Sequence, residues 1–260
     1  MIEESANGQG VWLGDLTWPE AQTWFERQAP IVIPIGAAAK EHGHHLPLAT
    51  DFIVAEHLAE ALRQNLPVVI APVVGFGYYP AFTGYSGSQH LKGSTYYALL
   101  WDLIEGFVTQ GVTRIVVINT GVSTEATVEN VCRDTLSHHG VRVAFSHIRV
   151  FGASTREDSE QKLGGHADEQ ETSVMLAIHP GRVYLDRAVP DYGTMLDQPG
   201  TVFQQPVNFK PDPESGPDYS VRGARGDPTL ATVEKGERAL AAMVERLVSG
   251  LTVLYPDLRP

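Results

Sequence analysis

Three histidines and three charged residues fall within twelve consecutive positions of this chain, residues 40–51. Gly43 and Pro47 interrupt the stretch, which is typical of an irregular loop that directs several side chains to one place. Imidazole nitrogens and carboxylate oxygens are common ligands of zinc, manganese and iron. Because no cysteine takes part, the pattern favours a catalytic or mixed-ligand site over a closed structural one. The candidate ligands are His42, His44, His45 and Asp51.

The elements around this cluster alternate between strands and helices. We predict strands at 31–35, 68–74, 114–119 and 141–148, and helices at 15–28, 50–64, 94–110, 124–138, from about 168 through 178, and at 227–251. Such alternation predicts an α/β fold, a three-layer αβα arrangement around a mostly parallel, doubly wound sheet. We expect residues 1–260 to form a single domain, with a long loop or arm at about 190–226.

Ligands of parallel α/β sheets bind beyond the carboxyl ends of the strands. Three segments that follow predicted strands, 36–51, 75–90 and 119–125, carry most of the polar and aromatic candidates. Several loop residues could contact a flat ring, unless they only pack the loop or form a subunit contact: Tyr78, Tyr79, Phe82, Tyr85 and His90. The hydroxyls and amides of Ser123 and Thr124 could hold a polar substrate group. We therefore expect the site at this edge of the sheet.

Charge and composition exclude several classes of partner. The net charge of −12 argues against nucleic acid and anionic membranes, since both require clustered cations. No apolar run approaches the roughly 18 residues of a membrane span, and the polar N-terminus does not resemble a signal peptide. The single cysteine, Cys132, excludes an internal disulfide and fits a reducing compartment. We expect a soluble cytoplasmic protein that acts on a small molecule.

The motifs, read in order, resemble those of the creatininase (creatinine amidohydrolase) family. Residues 40–51 match the family pattern Glu-x-His-Gly-x-His-Leu-Pro-Leu-x-x-Asp from its third position onward. A Pro-Gly-Thr loop is matched loosely at 86–88, and the family segment Asn-Gly-His-Gly-Gly-Asn aligns with 119–124. The pattern His-Ala-x-x-x-Glu-Thr-Ser is intact at 166–173, and 226–232 also looks familial. The resemblance covers nearly the whole chain.

This resemblance implies a doubly wound α/β fold, a two-metal amidohydrolase and a homo-oligomer, with a hexamer as one form. Carried over residue by residue, it implies that His42, Asp51 and Glu171 bind metal and that His166 transfers protons. His166 and Glu171 are five residues apart, so they converge only if His166 lies in the loop before the helix. The alternative roles are helix capping for Asp51, a favourable first-turn charge for Glu171, and support of the ligands for His44 and His45.

Two family ligand positions are changed in this chain. The position of the first family glutamate holds Lys40, and the histidine position after the third strand holds Gly121. An ammonium cannot bind a metal, and it repels a divalent ion by several kcal/mol at about 4 Å. We therefore expect one divalent metal per chain or none, zinc first with manganese or iron as alternatives, and Lys40 in place of the lost ion. Glu41 is offset by one residue and is expected to face away, although rotation into the site is an alternative.

Three functions are consistent with this pattern. The first is hydrolysis of a small cyclic amide or related C–N bond by a metal-activated water, with His166 as proton shuttle and Lys40 stabilising the oxyanion. The second is a degenerate family member that binds a ligand or partner without hydrolysis. The third is a metal-free enzyme in which Lys40 acts as base or Schiff-base nucleophile, which requires a depressed lysine pKa.

Overall fold

The computed structural model describes residues 9–153, 158–193, 202, 206–212, 214 and 218–258. Its strands are β1 (Val11–Trp12), β2 (Ile31–Ile35), β3 (Val69–Ile70), β4 (Ile115–Asn119) and β5 (Val143–His147). They form one parallel sheet in the order β1-β3-β2-β4-β5. The register pairs Ile35 with Asn119, and Asn119 with His147. The carboxyl ends of β2, β4 and β5 therefore lie side by side.

Helices cover both faces of this sheet. They are α1 (Trp18–Glu26), α2 (Thr50–Asn65), α3 (Gly93–Thr109), α4 (Glu125–His139), α5 (Ile148–Phe151), α6 (Glu169–Ile178) and α7 (Val233–Leu254). Successive strand residues point to opposite faces, so Val32 packs with α2, α6 and α7 while Ile33 packs with α1, α3 and α4. The predicted three-layer α/β fold with a parallel sheet is confirmed.

The differences from the predicted elements have local causes. The strand predicted at 68–74 pairs regularly only at Val69–Ile70. The Ala71 N–H still donates to Val32, but the next bond to β2 runs from the Val74 N–H to Pro34, so this strand has one extra residue there and rejoins the sheet through a single bridge from Val74 to Ile35. The last helix begins at Val233, later than predicted, because the hydroxyl of Thr232 caps it by accepting from the Lys235 N–H. The two-residue strand β1 is too short to show a pattern in the sequence.

Part of the predicted arm at 190–226 lies outside the described residues, namely 194–201, 203–205, 213 and 215–217. A backbone bridge between Asp191 and Gly226 joins the two ends of the arm, and a bridge between Arg225 and His166 ties it to the rest of the chain. A helix long and apolar enough to span a membrane is absent from the described part of the chain. The expectation of a single domain stays a prediction.

Candidate active site

The loop between β2 and α2 folds back so that its two ends meet. The N–H of Lys40 donates to the carbonyl oxygen of Leu48 at 2.9 Å, which closes the loop. Gly43 adopts the left-handed conformation at φ 73°, where a glycine is favoured. A Cβ on Gly36 would lie 2.2 Å from the carbonyl oxygen of Asp51, so only glycine allows the strand end to pack this closely on α2. Asp51 is thereby fixed beside the carboxyl end of β2.

Asp51 is the centre of a buried charged group. Its Oδ2 lies 2.7 Å from Nζ of Lys40, and its Oδ1 lies 3.0 Å from Nε2 of His42. The side chains of Lys40 and Asp51 are only 8% and 6% exposed. Burial on its own would raise the pKa of Asp51, but Lys40 and His42 outweigh it and hold that pKa well below its usual range. Asp51 is therefore ionised, and it does not cap α2, whose N-cap is Ala49.

The hydrogen bonds of His42 leave one ring nitrogen facing Asp51. Nδ1 lies 2.9 Å from the carbonyl oxygen of Lys40, and because a carbonyl only accepts, Nδ1 carries a proton. In a neutral ring Nε2 then presents its lone pair to the Asp51 carboxylate, which requires a cation between them or a second proton on the ring. Burial alone would lower the pKa of His42, but Asp51 outweighs it and raises the pKa. Either way this position attracts a cation.

His166 lies in the loop before α6, as its spacing from Glu171 predicts. Its Nε2 is 3.0 Å from Oε2 of Glu41, and its Nδ1 is 3.9 Å from Oε2 of Glu171. The Asp168 carboxylate caps α6 by accepting from the N–H groups of Gln170 and Glu171. Among the described residues, one group of three can place its ligand atoms within 4.8 Å of one another: His42, His166 and Glu171. These residues fit a divalent metal by donor type and by proximity.

The expectation that Glu41 faces away from the site was wrong. Its carboxylate accepts from His166 and also from the N–H of Gly43, and its side chain is 7% exposed. The irregular backbone at Gly43 turns Lys40 and Glu41 toward the same interior, so the usual opposition of adjacent residues does not hold. Gly223, at φ 66°, packs on Glu41, where a Cβ would lie 2.0 Å from Oε1. The sequence signal for this contact was absent, because the family motif has no fixed residue at position 41.

Aromatic rings cover the site from the arm side. The Phe82 ring lies 4.4 Å from that of His166, and the Phe209 ring stacks on Phe82 at 5.1 Å between centroids. Nζ of Lys40 lies 4.9 Å from the Phe82 ring centre, a cation–π contact. Phe82 is one of the loop aromatics that the sequence suggests for a pocket. Phe209 could not be found in this way, because it lies more than a hundred residues along the chain from the loop that it covers.

The other two histidines of the cluster do not reach Asp51. Nε2 of His45 lies 2.8 Å from Oγ1 of Thr172, a contact that ties the loop to α6. Burial lowers the pKa of His45 to about 4. His44 is exposed, and its ring lies 3.3 Å from the guanidinium of Arg222. His45 therefore supports the site from behind, and His44 lies at the surface.

Asp51 separates two cavities of very different size. A cleft of about 270 Å³, bounded by α2, α5, α6 and α7, reaches both Asp51 and Glu171. On the other side of Asp51 a cavity of about 10 Å³, near the size of one water, is lined by Lys40 and Gly121. The two residues that differ from the family motif thus share one small cavity.

Four of the candidate substrate contacts, Tyr78, Tyr79, His90 and Ser123, do not line the large cleft. Tyr79 and Ser123 line the small cavity, and the buried Tyr79 donates its hydroxyl to the carbonyl of Gln89. Tyr78 stacks with His90 at 6.2 Å between ring centroids, and neither lines either cavity. Their predicted role in substrate binding stays a prediction.

A sequence model of the family described as creatinine amidohydrolase matches residues 14–251. The chain belongs to the creatininase family. A creatinine amidohydrolase of Pseudomonas putida is 24% identical over 95% of this chain and 98% of its own length. A 3-dehydro-scyllo-inosose hydrolase of Thermotoga maritima is also 24% identical, over 95% of this chain and 85% of its own. A mycofactocin precursor peptide peptidase of Mycolicibacterium smegmatis is 28% identical, over 87% and 86%.

The fold is also that of solved creatininase structures. One creatinine amidohydrolase structure superposes with a TM-score of 0.78, at 23% identity, over 95% of this chain and 98% of its own. Another, described as a manganese creatininase, superposes with a TM-score of 0.77, at 24% identity, over 95% and 100%. The resemblance seen in the motifs is therefore confirmed along the chain, including the divergence expected from its altered ligand positions.

Proposed function

We propose that this chain is a metal-dependent hydrolase that cleaves a C–N bond in a small cyclic amide or a related compound. The observation that carries the proposal is the convergence of His42, His166 and Glu171 beside Asp51 at the end of a cleft. The family relatives named as a creatinine amidohydrolase, an inosose hydrolase and a peptide peptidase all carry hydrolase names, which supports hydrolysis over other chemistry.

The converging group of His42, His166 and Glu171 offers three ligand atoms, but the resemblance gives the metal to Asp51 and proton transfer to His166. We therefore assign the metal to His42, Asp51 and Glu171, with zinc favoured and manganese or iron as alternatives. Two solved creatininases support zinc and manganese, one described as a manganese form and one variant as a Zn-Zn type. A divalent metal bound there supplies a hydrolytic nucleophile by acidifying water and polarises the substrate carbonyl. Glu171 has the most exposed side chain of the group, at 30%, and it opens onto the cleft. The substrate therefore reaches the site from that side.

His166 is the proton carrier in this proposal. Its Nε2–H donates to Glu41, which fixes the tautomer and leaves the Nδ1 lone pair facing Glu171. Nδ1 accepts a proton from the attacking water and passes it to the leaving nitrogen. Glu41 stabilises the charged ring, and the Phe82 and Phe209 rings exclude bulk water from it.

Lys40 has a different role from the oxyanion stabiliser expected from the sequence. Lys40 lines the small cavity and not the cleft. Asp51 therefore separates its ammonium group from a substrate carbonyl bound at Glu171. Burial on its own would lower the pKa of Lys40, but Asp51, Glu171 and Glu41 outweigh it and raise the pKa. A raised pKa disfavours the base and Schiff-base roles. Lys40 instead replaces the second metal as the cation that neutralises Asp51.

The proposal is tested by metal analysis and amide hydrolysis on matched variants. His42→Ala and Glu171→Gln should lose the metal and the activity together. His166→Ala should keep the metal and lose activity, and loss of the metal from this variant would instead make His166 a ligand. His44→Ala is the control, since it removes an exposed histidine from the same loop. Hydrolysis that survives in metal-free His42→Ala would contradict the proposal.

A second candidate is a protein that binds a ligand without hydrolysing it. The observation that favours it is the Lys40 ammonium, which sits 2.7 Å from a carboxylate oxygen that the resemblance assigns to metal. Purified protein without metal or hydrolytic activity, but with a saturable ligand in the cleft, would support this candidate. A homo-oligomer, including a hexamer, and a cytoplasmic location stay predictions that light scattering and fractionation can test.

A further inference from the structure

Most polar side chains that line the 270 Å³ cleft are already bonded within the protein. The hydroxyl of Thr50 donates to the Pro47 carbonyl at 2.7 Å, and that of Thr120 donates to the Asp51 carbonyl at 3.0 Å. The amide of Gln161 donates to Asp168 at 2.8 Å. These groups position the walls of the cleft, and they are not available to a substrate.

Two polar side chains of the cleft have no such partner in the part of the chain that the structure describes. The Lys162 ammonium and the Gln170 side-chain amide make no hydrogen bond or ion pair with any described residue. Lys162 is exposed, so water surrounds its ammonium group, and a substrate group can replace that water. Arg149 also lines the cleft, 56% exposed, and its nearest carboxylate is that of Glu125 at 3.6 Å. A chain of net charge −12 thus presents two cations here.

The remaining wall of the cleft is apolar. Val54 of α2, Val174 of α6 and Met243 of α7 line it, and Leu163 follows Lys162 at its mouth. A carbon skeleton packed against these residues would extend between Lys162 and the base of the cleft. Three carboxylates line the cleft: Asp51 and Glu171 at its base, and Asp168, whose oxygens already accept from the Gln161 amide and from backbone N–H groups. An anion is repelled at the base, so a negative group is most stable at the Lys162 end. The charge pattern therefore gives the substrate one orientation.

We propose that the cleft selects amides that carry a carboxylate, which Lys162 binds with support from Arg149 and Gln170 while the scissile C–N bond lies at Glu171. This inference rests on the proposed function and names its substrate class. A monoanion fits better than a phosphate dianion, because among the described residues Lys162 is the one cation of the cleft without a partner, and three carboxylates also line the cleft. Lys162 acts in specificity and does not touch the reacting atoms.

The test uses pairs of cyclic amides that differ only by a carboxylate, such as pyroglutamate and 2-pyrrolidinone, or dihydroorotate and dihydrouracil. Binding to the metal-loaded protein is measured by calorimetry, and ring opening is measured separately. We expect the carboxylate member to bind more tightly, and Lys162→Gln to weaken it about three- to fivefold without changing the neutral member. In turnover the same variant should raise KM and leave kcat nearly unchanged. Lys92→Gln, which removes an exposed lysine outside the cleft, is the matched control.

The inference would be overturned if the protein showed no preference for the carboxylate member of any pair, or if it bound neither member. An equal effect of Lys162→Gln on both members of a pair would overturn it too. The proposed function fails in a different way. Protein that discriminates the pairs through Lys162 but hydrolyses no amide would contradict hydrolysis and leave the recognition of carboxylates intact. Hydrolysis of neutral and anionic amides at equal efficiency would contradict the recognition of carboxylates and leave the proposed hydrolysis intact.

Discussion

Lys40 and Asp51 form a buried ion pair, with 2.7 Å between Nζ and Oδ2, at the place where the resemblance puts a metal-bound carboxylate. The other oxygen of Asp51 faces His42 at 3.0 Å. One carboxylate thus lies between an ammonium on the side of the small cavity and a histidine of the metal group. If a metal binds at His42 and Glu171, Asp51 is shared between that metal and Lys40.

The first prediction concerns the energy of this ion pair. Lys40→Met should lower the free energy of unfolding by about 3–5 kcal/mol in EDTA, because it leaves Asp51 charged and buried without its cation. Urea unfolding followed by circular dichroism measures the change. In the double variant Lys40→Met/Asp51→Asn the uncompensated charge is removed, so much of the stability should return. A loss below about 1 kcal/mol in the single variant would mean that the pair behaves like an exposed one.

The second prediction concerns the packing of the arm on Glu41. Gly223→Ala places a Cβ 2.0 Å from Oε1 of Glu41 at a backbone φ of 66°, so the carboxylate must move away from His166. We expect kcat to fall about tenfold or more, as for loss of a group that orients a catalytic histidine, with the metal retained. Gly250→Ala is the control, because a Cβ there meets nothing within 4 Å and a helical alanine is favourable. Unchanged kcat in Gly223→Ala would contradict the role of Glu41.

The third prediction concerns stability at acidic pH. Burial lowers the pKa of His45 from 6.5 to about 4, so the folded state holds this ring neutral. Between these values the unfolded chain binds a proton that the folded chain does not, and the free energy of unfolding falls as the pH falls from 6.5 to about 4. His45→Gln should reduce this slope, measured by urea unfolding of metal-free protein. A variant with the same slope as the parent would assign the acid sensitivity to other groups.

The sequence predicts the parts of this site that are local. His42 and Asp51 lie on one loop and one helix start, so a motif of twelve residues is enough to find them. The contact between His166 and Glu41 joins residues 125 apart, and it depends on how the arm packs over the loop. Lys162 has no motif at all, since its role follows from the shape and charge of a cleft. Such features depend on tertiary packing, which a single sequence does not show.

The layers of the fold follow from the sequence for a related reason. The β2 strand is a continuous apolar run, and β4 is apolar up to Asn119. Because helices separate the two strands along the chain, the sequence predicts a parallel sheet with both faces covered. The length of β3 does not follow in the same way. Its apolar run continues beyond Ile70, but one extra residue between the hydrogen bonds of Ala71 and Val74 ends the regular pairing with β2, and the apolar pattern does not show it.

The metal content of the purified protein tests the central claim most directly. Protein saturated with zinc and then desalted should hold about one metal per chain by mass spectrometry, because Lys40 fills the place of the second ion. The double variant Lys40→Glu/Gly121→His restores both family ligand positions beside the small cavity. The nearest atom to a Cβ on Gly121 would be Oγ1 of Thr124, at 3.0 Å. We predict about two metals per chain in that variant and none in His42→Ala. Two metals in the unmodified protein would contradict the account, because the Lys40 ammonium and a second divalent ion cannot both neutralise Asp51.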